Sequence, residues 1–334
     1  MSKKDLSVLK LKELNLNNKI SFIYSNFKSY LEKIIKKKPY LIAVSGGSDS
    51  LALTALSKIF SNEKKNRVFF VLIDHGIRSN SSKEAKAVKS LLKKFKINLT
   101  ILKNKEKISK NVQSQARDVR YKLLLKFCNK NKIKFILTGH HRDDQIETFL
   151  IRLSRGSGIQ GLSAMKKVSN LNNKVELLRP LLDEKKQDLA VFAKQYFGKI
   201  FKDPSNTNKK YLRTKIRSLI EQFEKSGIKR ERIISSIHNL GSTRDTLNAY
   251  ILRAEKKCII KNKKEIVVNL NFFLKENEEI QLKIFSNYIK KISKNYYPPR
   301  AKKIINLLNK VKYNKELKVT LGGCIVHKIQ NNLV

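Results

Sequence analysis

The sequence predicts an α/β fold: a doubly wound parallel sheet, then a helical linker and a smaller mixed α/β domain. Three observations predict it. Between residues 40 and 155, four apolar runs alternate with four amphipathic stretches. The runs are near-continuous in Val, Ile, Leu and Phe, as expected for strands buried on both faces. After about residue 156 the alternation dissolves into a glycine-bearing loop, helical text and then mixed text.

Taken in order, residues 20–38 read as an amphipathic helix that Pro39 ends. "YLIAV" (40–44) is a strand, and "SLALTALSKIF" (50–60) a helix with Leu51, Leu53, Leu56 and Ile59 as its apolar positions. The next pairs are "RVFFVLID" with "SSKEAKAVKSLLKKF", "INLTIL" with "NVQSQARDVRYKLLLKFCNKN", and "IKFILT" with "DQIETFLIRLSR". "RGSGIQGLSAM" (155–165) reads as a loop, "VELLRPLL" (175–182) as one more strand, and "EKKQDLAVFAKQYF" (184–197) as a helix. Residues 207–260 read as mostly helical. Beyond them "EIVVNLNFFL" is expected as a strand, "EEIQLKIFSNYIKKI" as a helix and "KELKVTLGGCIVHKI" as a hairpin. "EKSGIK" (224–229) interrupts the helices, so the expected division is 1–38, an N-terminal helical extension; 39–225, a catalytic domain; and 226–334, a C-terminal domain.

The chain of 334 residues carries 73 Lys and Arg against 27 Asp and Glu, a formal charge of +46. With 41% hydrophobic residues it can build a core, which excludes a disordered basic tail. That balance points to a polyanionic partner, with nucleic acid first; a general Lys, Asn and Ile bias would give the same sum. Cys128, Cys258 and Cys324 lie far apart, with no CxxC, so neither zinc nor a redox pair is suggested. Their odd number fits a reducing compartment. The first 22 residues lack the apolar core of a secretory signal, and no run reaches membrane-span length, so a cytoplasmic location without a membrane partner is expected.

"SGGSDS" (Ser45–Ser50) follows the first strand and opens a helix. A helix N-terminus offers unpaired N–H groups and partial positive charge. Gly46 and Gly47 let backbone approach a ligand, and Ser45, Ser48 and Ser50 add hydroxyls. Together they describe an anion cradle suited to phosphate. A carboxylate is out of place there unless a cation bridges it, so Asp49 reads as a handle for Mg²⁺. The plainer alternative is a strand-to-helix turn with a side-chain cap. Its place at the end of the first parallel strand favours the cradle. The GK[ST] ending of a Walker A loop is missing.

"SGGSDS" resembles the PP-loop of the N-type ATP pyrophosphatases. Four further stretches narrow the likeness: "DHGIRSNSSKEA" (74–85), "QARDVRY" (115–121), "TGHHRDDQIETFLIRLSRGSGIQGL" (138–162), and "RPLL" followed by "DPSNTNKKYLRTKIR" (203–217). In this order and spacing they resemble the tRNA(Ile)-lysidine synthetase family over about residues 38–220. The resemblance implies a Rossmann-like PP-loop fold and two substrates besides ATP: a CAU-anticodon isoleucine tRNA and free lysine. It implies adenylylation of O2 of the wobble cytidine, then displacement of AMP at C2 by the lysine ε-amine. No protein partner is implied.

The residues support that chemistry on their own terms. Asp143 and Asp144 start a helix, and Glu147 lies one turn on, so Asp144 and Glu147 share a face. Such a pair suits an ammonium, or a proton leaving an attacking amine. His140 and His141 sit at a strand end, and His140 reads as a phosphate or substrate contact. Arg117 and Arg120 lie three apart, Arg213 and Arg217 four apart. Guanidinium forks stabilise charge on an α-phosphate and a departing pyrophosphate. Arg120 and Arg213 match family motif positions, whereas Thr214 stands where the family usually has Asn. The resulting catalytic set is Asp49, Arg120, His140, Asp144 and Arg213; Ser45–Ser50 bind ATP, and Asp144 and Glu147 bind lysine. Asp74, His75 and Gly76 border the same strand ends, with a turn as the alternative reading. Arg78, Tyr296, Tyr297 and Arg300 are candidates for RNA contact. A tRNA thiolase of the same superfamily and a non-catalytic basic RNA-binding protein remain open.

Overall fold

The sheet forms where the apolar runs predict it. In the computed structural model, residues 18–77, 80–106, 108, 112–201, 212–261, 265–293 and 299–334 are described. Helix α1 (Asn18–Ile34) precedes β1 (Tyr40–Val44), α2 (Ser48–Lys64), β2 (Val68–Asp74), α3 (Ser81–Lys94), β3 (Leu99–Lys103), α4 (Val112–Lys130), β4 (Phe135–Leu137) and α5 (Arg142–Leu153). Next come α6 (Ile159–Leu162), β5 (Val168–Asn170), β6 (Glu176–Leu178), α7 (Lys186–Phe197), α8 (Leu212–Lys225) and α9 (Arg230–Cys258).

Sheet order is β3-β2-β1-β4-β6-β5. All pairings are parallel except the edge pair β5–β6, an antiparallel addition that the parallel reading did not contain. Central β1 pairs Leu41 with Phe69 and with Ile136, and Tyr40, Leu41 and Ile42 are fully buried. One face packs on α1, α2, α3 and α7 through Phe27, Leu53, Phe60, Val88 and Phe192. The other packs on α4 through Leu41, Val71, Leu124 and Ile136. Helices on both faces make the sheet doubly wound. The chain steps outward from β1 to β3, then returns across β1 to β4. The strand order therefore reverses between β1 and β4, and ligands bind at the carboxyl ends beside such a reversal.

Beside the sheet, α5 packs on α8 and the start of α9 through Ile146, Leu150, Ile216, Ile220, Ile233 and Ile237. The chain divides into two compact units after His238, within α9. The second unit continues with β7 (Ile259–Lys261), β8 (Ile266–Asn269), α10 (Leu270–Phe273), α11 (Glu278–Ser293), α12 (Ala301–Tyr313), β9 (Leu317–Leu321), β10 (Cys324–Ile329) and β11 (Asn332–Leu333). Its five-stranded sheet runs β7-β8-β11-β10-β9, antiparallel throughout. The expected strand 265–274 stops at Asn269, whose side chain accepts the Asn271 N–H at 3.0 Å and so starts α10. Among the described residues no helix is long and apolar enough to cross a membrane.

Candidate active site

The carboxyl ends of β1, β2, β4 and β6 carry Ser45, His75, Thr138 to His140, and Arg179 at one edge of the sheet. The β1 turn is built by its own serine. Ser50 Oγ accepts from the N–H groups of Ser45 and Gly46, both at 3.1 Å, and donates to Gly47 O at 3.0 Å. Ser50 is buried, so its hydroxyl shapes the loop, while Ser45 and Ser48 stand nearer solvent. Gly46 has φ +87, and a Cβ there would lie 2.6 Å from Val88 Cγ2; glycine is required on both counts.

Gly139 brings the β4 end hard against the first turn of α2. A Cβ at Gly139 would meet Asp49 O at 2.8 Å and Ser50 N at 3.1 Å. This contact sets Asp49 beside His141: their Oδ2 and Nε2 are 3.4 Å apart. Ser48 Oγ donates to Asp49 Oδ1 at 2.9 Å. Burial opposes ionisation of Asp49, but His141, the Ser48 hydroxyl and the charge of Lys186 outweigh it and hold the carboxyl below its ordinary range. Burial likewise opposes the charge of His141, and Asp49, Asp144 and Asp143 together raise its pKa. His141, which the sequence left without a role, is thus the buried centre of a carboxylate cluster.

His140 points a different way. Its Nδ1 lies 2.8 Å from Thr138 Oγ1. Burial pushes its pKa down to about 4; Asp144 acts against this, and Arg179, Arg117 and Arg213 reinforce it. The imidazole is therefore neutral at neutral pH, able to donate or accept one hydrogen bond. His75 is similar: burial and Arg120 lower it to about 4, and its Nδ1 is buried without a partner. Asp74 is occupied in the turn, accepting from Gly76 N–H at 3.1 Å and Ser82 Oγ at 2.5 Å.

The acidic helix α5 divides its labour. Asp144 accepts the His141 N–H at 3.1 Å and caps its own helix while facing His140. Glu147 is buried; its Oε1 accepts Arg217 Nε at 2.5 Å, and its Oε2 has no partner. Asp143 lies 3.7 Å from His141 Nδ1 through its Oδ2 and is also held by Arg230 at 2.7 Å and the Lys186 N–H at 3.3 Å. Arg217 is accordingly a partner of Glu147, a pairing that helical spacing could not reveal because the two are 70 residues apart. Arg120 is open to solvent yet closely surrounded; burial lowers its pKa, and the cations Arg117 and Arg213 act in the same direction. Arg213 is exposed at the start of α8, and Arg300 stands at the N-terminal boundary of α12 in the second unit without a side-chain capping bond. Arg78, Tyr296 and Tyr297 lie outside the described residues, as does all of "DPSNTNKKY".

Among the described residues no group of three His, Cys, Asp or Glu side chains could hold a metal by itself. Mg²⁺ needs less than that, since it is commonly held by one or two carboxylates together with substrate phosphates. Asp49, ionised and partly open beside the cradle, fits such a role.

The family model described as a PP-loop domain matches residues 16–223. The chain is 35% identical over 298 residues to the tRNA(Ile)-lysidine synthase of Wolbachia pipientis wMel, covering 88% of this chain and 69% of that protein. Against the tRNA(Ile)-lysidine synthase of Rickettsia typhi it is 31% identical over 328 residues, covering 96% and 72%. Among solved structures, a U34-tRNA thiolase from Methanococcus maripaludis matches with a TM-score of 0.56 at 18% identity, covering 66% of this chain and 79% of that one. At that identity the likeness concerns the fold alone.

Proposed function

The chain belongs to the tRNA(Ile)-lysidine synthase family, and from that premise we propose that it ligates free lysine to C2 of the wobble cytidine of the CAU-anticodon isoleucine tRNA at the expense of ATP. The observation that carries the reading is one sheet edge holding an anion cradle, a neutral histidine and a carboxylate pair.

In this reading the cradle Ser45–Ser50 takes the ATP phosphates on backbone N–H groups and on the hydroxyls of Ser45 and Ser48. Asp49 would hold Mg²⁺ against those phosphates, and the bound ion would supply neutralising charge. Cytidine O2 attacks the α-phosphorus, the bond from that phosphorus to the bridging oxygen breaks, and pyrophosphate leaves. Arg120 and Arg213 stabilise the charge on the transferring and departing groups. His140, uncharged, contacts the nucleotide without adding a cation. Lysine enters as an ammonium. Asp144 and the free Oε2 of Glu147 bind it, and one carboxylate accepts the proton whose loss makes the amine a nucleophile. The amine attacks C2, the C2–O bond breaks, and AMP leaves.

The division of labour is part of the proposal: residues 39–225 catalyse, with 1–38 as a helical extension, and 226–334 bind tRNA. The thiolase alternative has no support in the sequence, which lacks a CxxC, and the three cysteines are buried. The deciding experiment is mass spectrometry of the wobble nucleoside after incubation with the tRNA transcript, ATP and lysine. A lysine adduct on cytidine is expected. An unmodified or thiolated nucleoside overturns the reading.

A further inference from the structure

Arg179 follows β6 at the same sheet edge and is only 6% exposed. Its Nη1 donates to Lys166 O at 2.7 Å and Ser169 Oγ at 3.0 Å, and its Nε is buried with no partner. Arg152, in the last turn of α5, reaches the same loop and donates to Gly161 O at 2.7 Å and Ala164 O at 2.9 Å. Arg117, at the solvent-facing start of α4, lies over the Tyr121 ring with its Cζ 5.0 Å from the centroid. None of the three is paired with a carboxylate among the described residues. Burial depresses Arg152 and Arg179, and both feel the charge of Arg117.

A buried guanidinium that feels the charge of two more cations, with no acidic partner among the described residues, is costly to keep. Such a cluster is completed by an anion, and a planar fork with a free Nε suits phosphate oxygens. The cradle is at the end of β1, and Arg179 follows β6, two strands away across β4. At strand spacing that is roughly 10 Å. His140, between them at the end of β4, feels the charge of both Arg117 and Arg179. A triphosphate anchored in the cradle thus lies to one side of His140, and the arginine cluster to the other.

We propose that Arg117, Arg152 and Arg179 form a second phosphate site, separate from the Ser45–Ser50 cradle, that takes a phosphodiester of the RNA strand next to the reacting nucleotide. The proposal rests on the lysidine reading for the identity of that RNA. The shared chemistry is phosphate, and the triphosphate of ATP is the competing source.

The test compares wild type, Arg179→Gln and Arg117→Gln. For each, binding of the CAU-anticodon tRNA transcript is measured across a salt series, and binding of a non-hydrolysable ATP analogue at one salt concentration. Both variants are expected to weaken tRNA about tenfold at physiological salt and to reduce the slope of log K against log salt by about 0.7–0.9. Affinity for the ATP analogue should stay within about twofold of wild type. Loss of analogue affinity with tRNA binding intact would assign the cluster to ATP and overturn the proposal. Unchanged binding of both ligands would also overturn it. Because Arg179 also pins the loop, Arg117→Gln is the decisive variant; a defect confined to Arg179→Gln makes the arginines loop supports only. If wild type binds the tRNA but makes no lysidine, the lysidine reading fails, while the phosphate site still stands or falls on the slopes.

Discussion

Glu147 has one oxygen held by Arg217 at 2.5 Å and the other buried without a partner. The sequence made Asp144 and Glu147 neighbours on a helix face, and that much was legible from spacing. It could not show that Arg217 fixes Glu147, because the pairing is set by how α8 packs on α5. Losing a charge-assisted hydrogen bond costs roughly 1.5–3 kcal/mol, about tenfold to somewhat over a hundredfold in rate. Glu147→Gln and Asp144→Asn are therefore expected to form adenylylated tRNA but to pass it slowly to lysine. Single-turnover trapping of the intermediate, with and without lysine, checks this. Variants that fail to make the intermediate but consume it normally would place these carboxylates on ATP instead. A second prediction concerns pH. His75 and His140 fall from 6.5 to about 4 on folding, so between those values the unfolded chain binds more protons. Stability therefore rises with pH across that window and drops on acidification. His141 acts oppositely, since its raised folded value adds stability below the unfolded one. In Mg²⁺-free buffer the melting temperature should fall from about pH 7 to about pH 4.5. His140→Asn should flatten that fall; an equally steep fall in this variant would mean that His140 titrates normally.

At the scale of elements, apolar periodicity located the strands and helices of the first unit because each is buried on a face its own sequence declares. The misses have local causes. β5 is three residues long and only half-buried, too short for a period to register. α12 carries Ile304, Leu307, Leu308 and Val311 on one face, a helical signal legible in retrospect but overlooked beside the lysines. The contact that assembles the site, β4 end against α2 start, had no periodic signal at all; it depends on one missing side chain at Gly139. Gly139→Ala forces a methyl to within 2.8 Å of Asp49 O, which is backbone and cannot rotate away. Overpacking of this kind costs typically 1–3 kcal/mol. The expected result is a protein that still folds, with a lowered melting temperature, but binds the ATP analogue at least about tenfold more weakly. Calorimetric titration and circular dichroism read the two effects separately. Wild-type affinity in Gly139→Ala would mean that the cradle forms independently of β4.

For the whole molecule, the charge was the most legible property and the least informative about place. A composition of 73 basic and 27 acidic residues says that a polyanion is favoured, but it does not say which basic residues meet it. Some of those cations are consumed internally: Arg217 by Glu147, Arg230 by Asp143 and Glu224, Lys28 by Glu63. Others, such as Arg117 and Arg179, have no acidic partner among the described residues. Binding through unpaired cations releases counterions condensed on the RNA, with a slope of about −0.7 to −0.9 per neutralised phosphate. A tRNA engaged through about six phosphates should lose about a thousandfold in affinity between about 50 and about 200 mM salt. Fluorescence anisotropy of labelled tRNA in a KCl series measures this, and an isoleucine tRNA with a different anticodon run in parallel separates charge from recognition. The two tRNAs should share nearly the same slope and differ in intercept, because phosphates are common to both and the wobble cytidine is not. A slope near zero would make the +46 charge a feature of composition rather than of binding, and tRNA recognition would then rest on base contacts alone.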